Sequence, residues 1–182
     1  MVAYVGRALY MAATLMASLI GGQALAKGAA LLPGGAQNLR EGYGDWVVSC
    51  DIRTENNVSR KVCGLSQEQT NTQSHQRVLL LQLQPKGSTA EGTLVLPFGP
   101  DLSKGISLQI DSGAVFASLP FWTCLPGGCL VRLNFDAKSV AALRAGTSLK
   151  VNMFPVGQHE MSLSVSLKGF PNALDRTIAL LK

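Results

Sequence analysis

Side chains able to do chemistry are scarce in this chain. Among 182 residues there are only two histidines, four cysteines and eleven carboxylates. There is no Gly-x-Ser-x-Gly elbow. His75 and His159 each lie in a polar stretch and read as solvated loop residues, so without that elbow the signature of an activated nucleophile is missing. There is no Cys-x-x-Cys either, the spacing typical of thiol oxidoreductases. Cys124 and Cys129 offer at most half of a zinc site, and Cys50 and Cys63 are too far apart to supply the usual second pair. The expectation is therefore no catalytic residue, no metal and no cofactor: not an enzyme. One formal exception stays open, since a glycosidase-like carboxylate pair is assembled by folding and leaves no local motif.

Also absent are a block of basic residues and an apolar run long enough to span a bilayer. The net charge is +5, from 16 Lys and Arg against 11 Asp and Glu, and these charges are scattered without interleaved aromatics. Nucleic acid is thus excluded as the expected partner. The longest apolar run, Ala8 to Ile20, stops at Gly21, short of the roughly 20 residues of a spanning helix. With Arg7 before it and Ala24-Leu25-Ala26 after it, the run reads as a secretory signal peptide over residues 1–26, cleaved after Ala26. No stable transmembrane segment would remain after cleavage. No cysteine lies near the cut, which argues against a lipoprotein. The 156 residues left suffice for one domain burying about two-thirds of its unfolded surface. The oligomeric state is unknown from the sequence.

All four cysteines fall in the exported part, where an even count implies disulfides. Three pairings are possible, and the sequence-local one is favoured: Cys50 with Cys63, and Cys124 with Cys129. By the chain-entropy relation these loops would contribute about 3 and about 2 kcal/mol. Residues 27–42, broken by Pro33-Gly34-Gly35, read as a flexible leader before a domain over 43–182. From Trp46 the pattern alternates with period two, as in half-buried strands. Similar runs follow at Val62–Gln67, Val78–Leu83, Thr93–Leu96, Ile106–Ile110, Val115–Leu119, Leu130–Phe135, Leu149–Phe154 and Met161–Leu167. Turn residues separate them. The expected fold class is all-β: an antiparallel β-sandwich-like single domain with one short internal helix and a C-terminal helix. Asp136 would cap the first helix, which carries Val140 and Leu143, with Gly146 at its C′ stop. Phe170, Leu174, Ile178 and Leu181 would form the buried stripe of the second, with Pro171 in its first turn.

The densest local feature is Leu119-Pro-Phe-Trp-Thr-Cys-Leu-Pro-Gly-Gly-Cys129. Glycine permits the tight turn that a disulfide over so short a loop demands. This stretch is the candidate recognition loop, with Phe121, Trp122, Leu125 and Pro126 as candidate contact residues. The competing reading packs the rings at a strand end. It is favoured for Phe121, while the two readings are balanced for Trp122.

Taken together, Tyr43-Gly-Asp-Trp-Val-Val-Ser-Cys50, Leu96-Pro-Phe-Gly99, Leu108-Gln-Ile-Asp111, the Leu119–Cys129 stretch and Ser166-Leu-Lys-Gly-Phe170 resemble the motifs of the invasion-associated locus B family. They stand in that family's order. The resemblance implies an all-β sandwich-like fold, a periplasmic or surface location, and in pathogenic members a link to host-cell entry. It carries no catalytic residues. The expected role is a non-catalytic exported interaction protein whose partner is an unknown envelope or host-surface component. Its expected location is periplasmic, with outer-membrane association or secretion as further destinations. Two alternatives are a periplasmic structural or stress-related factor, and an envelope glycan- or peptide-acting enzyme.

Overall fold

The computed structural model describes residues 31–182. The signal peptide read over 1–26 and the first residues of the leader lie outside the described residues. Among the described residues, ten strands form two antiparallel sheets. The larger contains β1 (Asn38–Tyr43), β2 (Trp46–Glu55), β3 (Val58–Thr70), β4 (Arg77–Lys86), β5 (Thr89–Leu96), β7 (Phe121–Leu125) and β8 (Gly128–Phe135). Its strand order is β1-β2-β3-β4-β5-β8-β7. The smaller is β10-β9-β6, from β6 (Ile106–Ile110), β9 (Ser148–Met153) and β10 (Met161–Ser166). Helix α1 spans Ala137–Ala145 and α2 spans Phe170–Leu181.

Period-two patterning decides which face each strand buries. Trp46, Val48 and Cys50 of β2 are buried, as are Leu79, Leu81 and Leu83 of β4, and both sets join Leu108, Val151 and Val165 of the smaller sheet in one core. Helix α2 packs against β1 to β4, and α1 lies by β5 and β8. Both helices sit on the side of the large sheet that carries the core. The other face is left to solvent, the usual arrangement of an antiparallel sheet.

Two glycines fix how α2 meets that sheet. Gly44, at φ 60°, and Gly169, at φ 87°, touch backbone to backbone. A Cβ on Gly44 would lie 2.6 Å from the Lys168 carbonyl oxygen, and one on Gly169 would run into the Tyr43 carbonyl. The Asp45 N–H donates to that Lys168 oxygen at 3.1 Å. The Tyr43-Gly-Asp and Lys168-Gly-Phe motifs are therefore two halves of one joint. Above it Trp46, fully buried, meets Phe170 edge to face at 5.0 Å and donates its indole N–H to the Ser166 carbonyl at 2.9 Å.

The structure corrects several expectations. The leader does not extend to residue 42: Leu32 is buried in the core, and Asn38–Tyr43 is strand, paired with β2 from Asn38↔Asp51 to Tyr43↔Trp46. Val115–Leu119 is not a strand. It runs along β6 but contributes only isolated bridges, Gln109↔Val115 and Ile106↔Leu119, which are one residue out of register with each other, so no continuous ladder forms. Gly146 ends α1 with φ −80°, not in a left-handed C′ turn. It is glycine because a Cβ would stand 2.7 Å from Ile110 Cγ2. On α2 the buried set is Phe170, Ala173, Leu174, Thr177 and Leu180, and Leu181 is 39% exposed. The expected cap of α1 is present, with the Asp136 carboxylate accepting from the Ser139 N–H at 2.7 Å.

Candidate functional site

The Leu119–Cys129 stretch folds as a β-hairpin, not as a free loop. Strands β7 and β8 pair at Cys124↔Cys129 and Leu125↔Gly128, with Pro126-Gly127 as the two turn residues. The disulfide Cys124–Cys129 joins directly opposed residues, as does Cys50–Cys63 between β2 and β3. Proline presets φ at the first turn position. Gly128, at φ 134°, lies so close to β5 that a Cβ would collide with the Leu96 carbonyl oxygen. The hairpin is thus clamped at its tip by a covalent bond and seated along its length on β5.

Neighbouring residues of a strand face opposite ways, which separates Phe121 from Trp122, and the register shift between Phe121 and Thr123 turns Leu125 away from the face of Phe121 as well. Phe121 is half-buried and packs against the core. Trp122 points outward and is 55% exposed, Leu125 is 50% exposed, and Pro126 is exposed at the turn. The β7–β8 ladder slips between Phe121 and Thr123, leaving Trp122 without a cross-strand partner. Its ring instead lies under the guanidinium of Arg132, 3.8 Å from the ring centroid. A cation over an indole face is an attractive arrangement, and it holds the ring in place while leaving it accessible. Outward-facing Arg132 of β8 was missed from the sequence. The signal for it was its place in the alternation of Leu130 to Phe135.

The other chemistry-bearing residues have structural work. Both disulfides are formed and there is no free cysteine, so no thiolate is left to ligate a metal. Among the described residues no three His, Cys, Asp or Glu side chains gather as a metal site. His75 and His159 are exposed, in the β3–β4 and β9–β10 connections. The Asp111 carboxyl is pulled down to about 2, chiefly by the Thr147 hydroxyl and then by the Thr147 and Ser148 N–H groups. Glu41 is lowered by its two-pronged pair with Arg176, at 2.7 Å to both Nε and Nη2. Asp175 is lowered by Arg144, at 2.8 Å. These carboxylates are held ionised, the opposite of what a general acid requires.

Comparison with known proteins adds to this picture. The model of the family described as "Invasion associated locus B (IalB) protein" matches residues 46–177. A Brucella abortus (strain 2308) protein named "Invasion protein B homolog" is 46% identical over 156 residues, covering 85% of this chain and 87% of that protein. "Invasion protein B" of Bartonella bacilliformis is 40% identical over 159 residues, 84% of this chain and 82% of the relative. The crystal structure of invasion associated protein B from Bartonella henselae superposes with a TM-score of 0.70 at 39% identity. That match covers 78% of this chain and 96% of the other.

Proposed function

The chain belongs to the invasion-associated locus B family, and from that membership we propose that it is an exported, non-catalytic interaction protein of the cell envelope or surface, serving host-cell invasion. The observation that carries this reading is the clamped β7–β8 hairpin. It presents Trp122, Leu125 and Pro126 on a disulfide-braced, sheet-bound platform. A large ring held rigid and exposed loses little entropy on binding, which is what makes aromatic anchors effective.

Two disulfides support an oxidising compartment, and none of the helices among the described residues is long and apolar enough to cross a membrane. Both fit a chain delivered by the 1–26 signal segment to the periplasm, with the outer membrane or the medium as further stations. Pull-down with the exported protein from envelope and host-membrane extracts is expected to recover a saturable partner, and Trp122→Ala is expected to weaken that recovery. Recovery unaffected by the substitution would remove the hairpin from the contact.

A periplasmic structural factor would share the signal segment and the disulfides. Fractionation separates the two readings: protein wholly shielded from protease in intact cells would count against direct host contact.

A further inference from the structure

The two disulfides stand in different surroundings. Cys50 and Cys63 are 1% and 3% exposed and belong to the core. Their strands are interior ones: β1 flanks Cys50 through Leu39, and β4 flanks β3 on its other side. A thiolate from solution reaches neither sulfur unless the sheet opens. The second bond is half outside. Cys129 on β8 is 2% exposed, whereas Cys124 on β7 is exposed. β7 is the last strand of its sheet, five residues long, with β8 as its one neighbour among the described residues. Past the disulfide lie only the pair Leu125↔Gly128 and the exposed turn Pro126-Gly127.

The outer bond also holds less of the fold. Cys124 and Cys129 are five residues apart, against 13 for Cys50 and Cys63, and closing a shorter loop removes less entropy from the unfolded chain. β8 keeps its place without it, being registered with β5 from Ala90↔Phe135 to Leu96↔Cys129. What the bond fixes is the spacing of β7 from β8, two residues beyond Trp122. The ladder there is already slipped between Phe121 and Thr123. The contact of the Trp122 ring with the Arg132 guanidinium, at 3.8 Å, spans these two strands and depends on their separation.

We propose that Cys124–Cys129 is a thiol–disulfide exchange site, entered at the Cys124 sulfur, and that its reduction by a dithiol unpins the hairpin while the rest of the domain stays folded. Exchange begins when a thiolate reaches one sulfur of the bond, and the burial of Cys129 leaves Cys124 as the point of entry. A bond forms from the incoming sulfur to Cys124 Sγ as the Cys124–Cys129 bond breaks. Cys129 Sγ leaves with the electron pair and takes up a proton. The reductant's second thiolate then attacks its own sulfur in the mixed disulfide, and Cys124 is released as a thiol. Two electrons have passed from the dithiol, which ends as a disulfide. A reductant with one thiol is ineffective, because Cys129 stands directly opposite Cys124 and expels it again. Renewed oxidation in an exporting compartment closes the bond, so the hairpin has a pinned state and a released one.

Graded treatment of the folded, exported protein with dithiothreitol, followed by alkylation and peptide mapping, reads the order of reduction. Cys124 and Cys129 should be labelled together at a dithiol concentration about tenfold or more below that needed for Cys50 and Cys63. At that point cooperative thermal unfolding should persist. Of the two indole signals of the 15N-labelled protein, assigned with Trp122→Phe, that of Trp122 should move, while that of Trp46, bonded to the Ser166 carbonyl, stays. The point of entry is read from single variants. The Cys124 thiol left in Cys129→Ser should react with iodoacetamide about tenfold or more faster than the Cys129 thiol left in Cys124→Ser. Reduction of both bonds together, earlier reduction of Cys50–Cys63, or unfolding on loss of the outer bond would overturn the proposal. So would an unmoved Trp122 signal or equal rates in the two single variants. None of these readouts needs a bound partner, so their failure would leave the interaction role proposed above untouched.

Discussion

Asp111 shows how much a single side chain does in this fold. Its own backbone is left-handed, at φ 48°, and its carboxylate gathers the Thr147 hydroxyl at 2.6 Å and the Ser148 N–H at 2.8 Å, tying the end of β6 to the start of β9. The folded pKa of about 2 lies below the ordinary 3.8. The folded state thus binds this proton less readily than the unfolded one, and the carboxylate's contribution is full above pH 4–5 by that difference. It is lost as the pH falls towards about 2. Asn accepts left-handed backbone, so Asp111→Asn isolates the charge. Thermal unfolding should show the variant melting below the parent at pH 7, with the gap closing towards pH 2. A gap independent of pH would contradict this account. At the same scale, the sequence marked Trp122 but could not decide which way it points. The slipped ladder between Phe121 and Thr123 and the place of Arg132 beside the ring decide it, and both depend on strand register.

Among the elements, α2 is held by the joint of Gly44 and Gly169, and the comparison with an unconstrained glycine is informative. Gly169→Ala meets both a left-handed φ and the Tyr43 backbone, whereas Gly157→Ala meets only φ 71°, with nothing within 4 Å of the new Cβ. The second should cost about 1–2 kcal/mol and the first markedly more, read as midpoints of urea unfolding. Equal losses would mean that the joint is not a close contact. The disulfide pairs belong to this scale as well. Non-reduced peptide mapping should link Cys50 to Cys63 and Cys124 to Cys129. Replacing the first pair with Ser should cost about 3 kcal/mol and the second about 2. A crossed link would contradict the strand order β1-β2-β3-β4-β5-β8-β7.

Most strands were legible in the sequence because their inward positions are unbroken runs of alternating Val, Leu and Ile, as at Leu79, Leu81 and Leu83. β1 was not, since its residues run between exposed and half-buried with none fully buried; its pairing with β2 defines it. The turn between β2 and β3 is likewise marked only weakly in the sequence. Asn56-Asn57, with φ 50° and 61°, suits a tight two-residue hairpin, and asparagine is a residue that accepts such angles.

For the whole molecule, one face of the large sheet holds the core and helices, and the other holds an open groove with the clamped hairpin at its end. That second surface could not be read from the sequence, because its residues come from five strands and meet only through long-range register. Its cysteines and its Pro-Gly-Gly turn were legible, being local. Whether this surface binds a partner is read by equilibrium binding of the labelled protein to isolated envelopes and to host-cell membranes. Saturable binding to at least one of them is expected, weakened about tenfold or more by Trp122→Ala, the size expected for loss of an aromatic anchor. Binding that is identical for parent and variant, or that fails to saturate on either membrane, would contradict it.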